Sequence, residues 1–124
     1  MTVPSVDETQ AAVDRFNDAL NRHDVDAVMA AMTDDCVFEN TWPSPDGERF
    51  EGQAAVRSFW ENMLSSSPDA RFDGEEMIVA GDRCVVRWRY SYTGDDGQRH
   101  HIRGIDLFKV RDGLVAEKLA YVKG

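Results

Sequence analysis

Cysteine, histidine and basic residues are all scarce in this chain, and each scarcity closes a route. Its 124 residues hold two cysteines, Cys36 and Cys84, with no CxxC spacing, so neither a zinc framework nor a redox pair is expected. Both fall in strand-like apolar runs and read as small buried hydrophobes. Of the three histidines, His100 and His101 are adjacent. In a strand they point to opposite faces, so no metal site is expected. Lysine and arginine total 14 against 23 acids, a net charge of −9. Phosphate backbones and anionic lipid both need a basic patch, so neither nucleic acid nor membrane is expected as a partner. No apolar run approaches the roughly 20 residues of a spanning helix. The opening MTVPSVDETQ lacks a basic-then-apolar leader pattern, and a cytoplasmic location is the expectation. No repeat or low-complexity tract interrupts the chain.

What is present is an ordinary globular composition, 42% hydrophobic and 30% charged. One domain over residues 1–124 is expected, long enough for a single core. Helices come first. Ser5 to Glu8 reads as a capping box, with Asp7 to Gln10 as a competing start. Ala12, Val13, Phe16, Ala19 and Leu20 then recur at helical spacing. Asp24 caps a second helix carrying Val25, Val28, Met29 and Met32. Cys36 to Phe38 is a short strand. The segment ENTWPSPDGERFEG, with two prolines and Asp46-Gly47, reads as a loop. A third helix starts at Gln53 with Val56, Phe59, Trp60 and Met63 on one stripe, and SSSPD ends it.

From Ala70 the period changes. Four β-rich runs are separated by Gly81-Asp82, GDDG and RDG. Short hairpins between consecutive strands imply a mainly antiparallel, strongly curved sheet. Three helices ahead of such a sheet make an α+β domain in which they cover one face. Within the third run, Asp106 sits among Ile105, Leu107 and Phe108. A carboxylate in that setting costs several kcal/mol, on the order of 2–7 for an uncompensated polar group, unless it is paired, hydrogen-bonded or protonated.

Three segments, NRHDVDAVMAAMTDDCVFEN, FEGQAAVRSFW and GIDLFKVRDGLVAEKLAYV, together cover nearly the whole chain. In this order and spacing they resemble the NTF2-like superfamily, which includes SnoaL-like polyketide cyclases, ketosteroid isomerases and limonene epoxide hydrolases. The resemblance implies an α+β cone around a hydrophobic pocket, cofactor-independent chemistry and a homodimer. In ketosteroid isomerases an aspartate base moves a proton while a tyrosine and a protonated aspartic acid hold the oxyanion. The resemblance puts Asp106 at that protonated-acid position, facing the pocket with Ile102, Gly104 and Phe108 by strand alternation. The base position holds Asn40, whose amide takes no proton at neutral pH, and the tyrosine position holds Phe16. Steroid isomerisation is therefore not expected. Against the epoxide hydrolases, Asn40 and Arg89 match, whereas Phe38, Ser91 and Ala120 do not. The last-strand acid of SnoaL-like cyclases also falls at Ala120.

The expected site thus has Asp106 as acid/base, with Phe16, Asn40, Phe59, Trp88 and Phe108 lining an apolar pocket of a few hundred Å³. Trp42 is a candidate lid and His100 a candidate at the mouth. Each has a purely structural alternative: Asp106 as a hydrogen-bonded buried acid, Asn40 as a loop cap, Trp42 and Trp60 as core. The alternation Arg87, Trp88, Arg89, Tyr90, Ser91, Tyr92 makes one aromatic and one cationic face. The aromatics are expected to face the helices, though alternation alone leaves open which face lines the pocket. Arg103 and Lys109 point away from Asp106, leaving His100 as the second titratable group. The functional expectation is a small organic, apolar or polyketide-like ligand handled by a cyclase or isomerase using Asp106. The alternative is a non-catalytic binding or assembly module. A homodimer through the uncovered outer sheet face is expected in either case.

Overall fold

Local signals set the helix starts. The computed structural model describes residues 5–124, so the reading of Met1 to Gln10 as leaderless lies partly outside it. Helix α1, Val6–Asn21, begins where the Ser5 hydroxyl accepts the Glu8 N–H at 3.1 Å. Its buried face carries Ala12, Val13, Phe16, Ala19 and Leu20, the expected stripe. At its end the Asn21 side chain donates to Phe72 O at 2.8 Å and accepts the Phe72 N–H at 2.9 Å. Helix α2, Val25–Ala30, is capped by the Asp24 carboxylate, which accepts the Ala27 N–H. It stops at Ala30, so Met32, expected on it, instead opens strand β1, Met32–Glu39. Helix α3, Gln53–Ser66, starts where expected. Val56, Trp60 and Leu64 are its buried stripe, while Phe59 and Met63 lie half-buried along the edge.

Strands β3 (Arg71–Ala80), β4 (Arg83–Thr93), β5 (Arg99–Arg111) and β6 (Leu114–Val122) form the expected antiparallel meander. Two pairings correct the local reading. The segment whose prolines and Asp46-Gly47 predict a loop contains strand β2, Arg49–Glu51, paired antiparallel with β1. Three residues carry too little pattern to be recognised; their partner makes them a strand. Strand β6 also pairs in parallel with β1, which extends the sheet to six strands in the order β2-β1-β6-β5-β4-β3. The sheet curves without closing, and α1 and α3 pack on its inner face. This is the α+β cone that the resemblance implies.

Register decides what the inner face carries. Trp88 lies opposite Gly104, Asp106 opposite Val86 and Ala120, and Phe108 opposite Lys118. The even-numbered aromatics of β4 therefore point toward the helices, as expected, and Arg87 and Arg89 are exposed on the outer face. Phe16, Phe38, Trp60 and Phe108 are the largest fully buried side chains. Each contributes about 1.5–3 kcal/mol of burial, with edge-on contacts at 5.8 Å for Phe16–Phe108 and 6.3 Å for Phe16–Trp60. Cys36 and Cys84 are free and buried. Among the described residues no helix is long and apolar enough to cross a membrane.

Candidate functional site

Strands β1, β4, β5 and β6 and helix α3 converge on one buried ion pair. Lys118, on β6, donates from Nζ to Asp106 Oδ1 on β5 at 3.1 Å, and the side chains are only 4% and 5% exposed. The two residues are diagonal neighbours, because Lys118 faces Phe108 across the ladder and Asp106 faces Ala120. The ammonium also lies 4.8 Å from the Phe38 ring centroid and 5.4 Å from that of Trp60. These aromatic faces stabilise a desolvated cation.

Burial pushes the Asp106 carboxyl above the ordinary aspartate range, because desolvation penalises the charged form. The Lys118 ammonium opposes that shift without cancelling it. The Trp88 indole N–H also favours the charged carboxylate, yet it makes no hydrogen bond of full geometry, and neither does that of Trp60. Beside the pair the Trp60 donor is thus without a protein acceptor, and the Trp88 donor has only a poorly aligned one. Buried indole N–H groups usually find a partner.

The pair stands between two concavities. On one side an aromatic cavity of about 90 Å³ is lined by Phe38, Phe59, Trp60 and Trp88, with Asn40, Thr41, Tyr90 and Lys118 as its polar members. It adjoins an outer groove of about 460 Å³, with which it shares Asn40, Phe59 and Met63. On the other side a polar cleft of about 380 Å³ runs between α1 and β3, lined by Asp14, Asp18, Glu75, Glu76, Trp88 and Asp106. Burial first, and then Asp18, raises the Asp14 carboxyl. Lys118 therefore meets the aromatic cavity, and Asp106 meets the polar cleft.

Of the expected site residues, Asn40, Phe59 and Trp88 are brought together around the aromatic cavity. Asp106 is buried on the inner face as alternation requires, but it lies on the polar cleft and behind Lys118 rather than on the apolar cavity. Phe16 and Phe108 line neither concavity. Both are completely buried and pack edge-on one layer deeper, because alternation fixes the side a residue faces and not its depth. Trp42 is 72% exposed and lines none of these spaces. His100 is exposed on the outer end of an aromatic row: its ring lies 5.8 Å from Tyr92 and its Nε2 3.0 Å from the Asp96 carboxylate. It is therefore not the second titratable group. Lys118 is, and Ala120 on the same strand face leaves room for it.

Lys118 was hidden by Glu117 beside it. Two adjacent charges on a strand give no sign of which one turns inward. The bulge at the start of β6 turns Val115 inward and sets Lys118 opposite Phe108, so the inward turn of Lys118 follows from the β5–β6 register and not from a local pattern. Among the described residues no group of three or more His, Cys, Asp or Glu could hold a metal ion.

A model of the SnoaL-like domain matches residues 13–118. The chain is 40% identical to an NTF2-like protein of unknown function from Mesorhizobium loti, with a TM-score of 0.82 over 100% of this chain and 98% of that one. It is 21% identical to a candidate SnoaL-like polyketide cyclase from Jannaschia sp. CCS1, with a TM-score of 0.82 over 99% and 90%. It is 18% identical to TerC co-crystallised with polyporic acid, with a TM-score of 0.80 over 94% and 92%. No curated protein matches it. With a buried charged pair on the inner wall of a curved six-stranded sheet and a family match over most of its length, the chain belongs to the SnoaL-like domain family of the NTF2-like superfamily.

Proposed function

We propose that this chain, as one domain over residues 1–124, binds a small and largely apolar organic molecule of polyketide-like character. Acid/base chemistry of Asp106 then acts on that molecule, in the manner of a cyclase or isomerase and without a cofactor. The observation that carries this reading is the Asp106–Lys118 pair beside an aromatic cavity. A buried ion pair is a weak source of stability, since apolar residues of like volume usually do as well or better. Its presence there points to chemistry. Lys118 is the group that touches the ligand, and Asp106 is the acid/base behind it, exchanging a proton through Nζ. The unpaired N–H of Trp60 is a donor for a ligand oxygen, and the Trp88 ring lines the same cavity with its N–H toward Asp106. Asn40, Phe59 and Trp88 are contact residues, whereas Phe16 and Phe108 support the wall from behind. Trp42 and His100, which line neither concavity, have no part in this reading. The co-crystal of TerC with polyporic acid supports a ligand of this kind.

The test uses the indole N–H signals of the protein in NMR. Phenol added to the protein is expected to shift the Trp60 and Trp88 signals, with exposed Trp42 as the internal control. A small ketone in deuterated water is expected to lose its α-protons faster with the wild type than with Asp106→Asn. Unchanged Trp60 and Trp88 signals would remove the ligand reading.

A second reading is favoured by the size of the cavity, about 90 Å³, and by a pair that satisfies itself. It is a non-catalytic binding or assembly module. The outer sheet face, with Ile78, Ile105 and Tyr121 exposed, would form a homodimer in the cytoplasm under either reading. Sedimentation at micromolar concentration decides the dimer: a monomer there removes it.

A further inference from the structure

We propose that Lys118 is a Schiff-base lysine whose Nζ condenses with the carbonyl carbon of aldehydes or ketones entering the aromatic cavity. This rests on the ligand reading above and deepens it by naming the substrate class and the atom that meets it. Three observations carry it. The Lys118 side chain is 4% exposed and yet lines the cavity, so its amine meets only what the cavity admits. Asp106 Oδ1, 3.1 Å away, both takes and returns protons, which carbinolamine formation and dehydration require in alternation. The Phe38 and Trp60 faces at 4.8 and 5.4 Å stabilise a cation at Nζ whether it is an ammonium or an iminium.

Proton transfer across the 3.1 Å contact within the pair gives an uncharged amine beside a carboxylic acid. The Nζ lone pair attacks the carbonyl carbon, the C–N bond forms, and the Asp106 proton moves to the carbonyl oxygen. The nitrogen then returns a proton to the carboxylate, leaving a neutral carbinolamine. Asp106 protonates the hydroxyl, the C–O bond breaks, and water departs as the nitrogen lone pair closes the C=N bond. Ammonium and aldehyde become iminium and water, with the Asp106 carboxylate regenerated. The buried negative charge keeps a cationic partner at both ends of the reaction, so no charge is left unpaired in the wall. The carbonyl head of the ligand occupies the 90 Å³ cavity, and its remainder extends into the 460 Å³ groove past Asn40, Phe59 and Met63.

The chain has three lysines, Lys109, Lys118 and Lys123, which makes the test compact. The full chain is incubated with butanal and cyanoborohydride, and the butylated sites are located by peptide mass mapping. Lys118 is expected to be labelled ahead of Lys109 and Lys123, and about 10²-fold more slowly in Asp106→Asn, the ordinary contribution of a positioned proton donor. Lys118→Arg keeps the cation and the pair, and should lose the cavity label while the other lysines react as before. Lys118 labelled no faster than Lys109 and Lys123 overturns the proposal. If phenol still shifts the Trp60 and Trp88 signals in that case, the ligand reading survives without the covalent step. If those signals are also still, both fall.

Discussion

Trp88 and Gly104 face each other across the β4–β5 ladder, and the indole occupies the space a side chain at 104 would fill. A Cβ there would come 2.1 Å from Tyr121 O and 2.7 Å from Trp88 Cζ2. The first of these contacts is backbone and cannot swing aside. Gly104→Ala is therefore expected to destabilise the protein by about 1–3 kcal/mol or more, as overpacking does. Urea unfolding followed by near-UV circular dichroism measures it, and a variant as stable as the wild type would contradict the packing described.

Removing one member of the Asp106–Lys118 pair strands the other. Asp106→Ala is expected to cost about 3–5 kcal/mol, because Lys118 keeps a buried charge without its counterion. Replacing both, as Asp106→Leu with Lys118→Met, should be neutral or stabilising by about 1–4 kcal/mol. A double-mutant cycle reads the coupling. Additive single-variant losses would show that the two side chains do not act as a unit.

The pH dependence of stability carries a specific sign at Asp106. Its pKa is raised in the folded state, chiefly by burial. Its contribution to stability is thus fully present below the ordinary value of 3.8 and is lost as pH rises through the higher folded value. The exposed carboxylates of Asp35, held low by its bond to Arg111, and Glu75, held low by Arg103, run the opposite way. Subtracting Asp106→Asn from wild type isolates the first trend. The wild type should lose ground to the variant as pH rises from about 4, and carboxyl NMR should find a midpoint above 3.8. An Asp106 midpoint at or below the ordinary value would remove the acid from the proposed chemistry.

Both thiols should be silent in the native protein. Burial raises the Cys36 thiol and pushes that of Cys84 up to about 11. At pH 8 neither presents a thiolate or an accessible sulfur. A disulfide reagent such as dithiobis-nitrobenzoate is expected to titrate both cysteines in denaturant and neither beforehand. Rapid reaction of the native protein would mean that the core opens locally.

Local chemistry was the readable part of this chain. Ser5 and Asp24 announce their helices because capping is decided within a few residues, and α3, which has no side-chain cap, shows itself by its apolar stripe. The inward turn of Trp88 and Asp106 follows from a period of two. What escaped was set by partners distant in sequence. Strand β2 exists because β1 pairs with it. The exchange of Lys118 for His100 as the companion of Asp106 depends on a bulge-shifted β5–β6 register that no short pattern encodes. The depth of Phe16 and Phe108 depends on how far α1 sinks toward the sheet.

Strand β6 lies between β1 and β5, and its contact with β1 is parallel while its contact with β5 is antiparallel. During synthesis the β3–β4–β5 hairpins and the β1–β2 pair can form as they emerge, but β1 waits for its second neighbour some 80 positions downstream, a wait of several seconds at about 5–20 residues per second. Until that strand threads into the gap, Asp106 has no ammonium, Phe38 has no cation above its ring, and the sheet is two unjoined pieces. Assembly of the buried ion pair and completion of the sheet are thus the same late event, and a nascent chain stalled before Lys118 would carry an open, sticky seam where the finished one carries that pair.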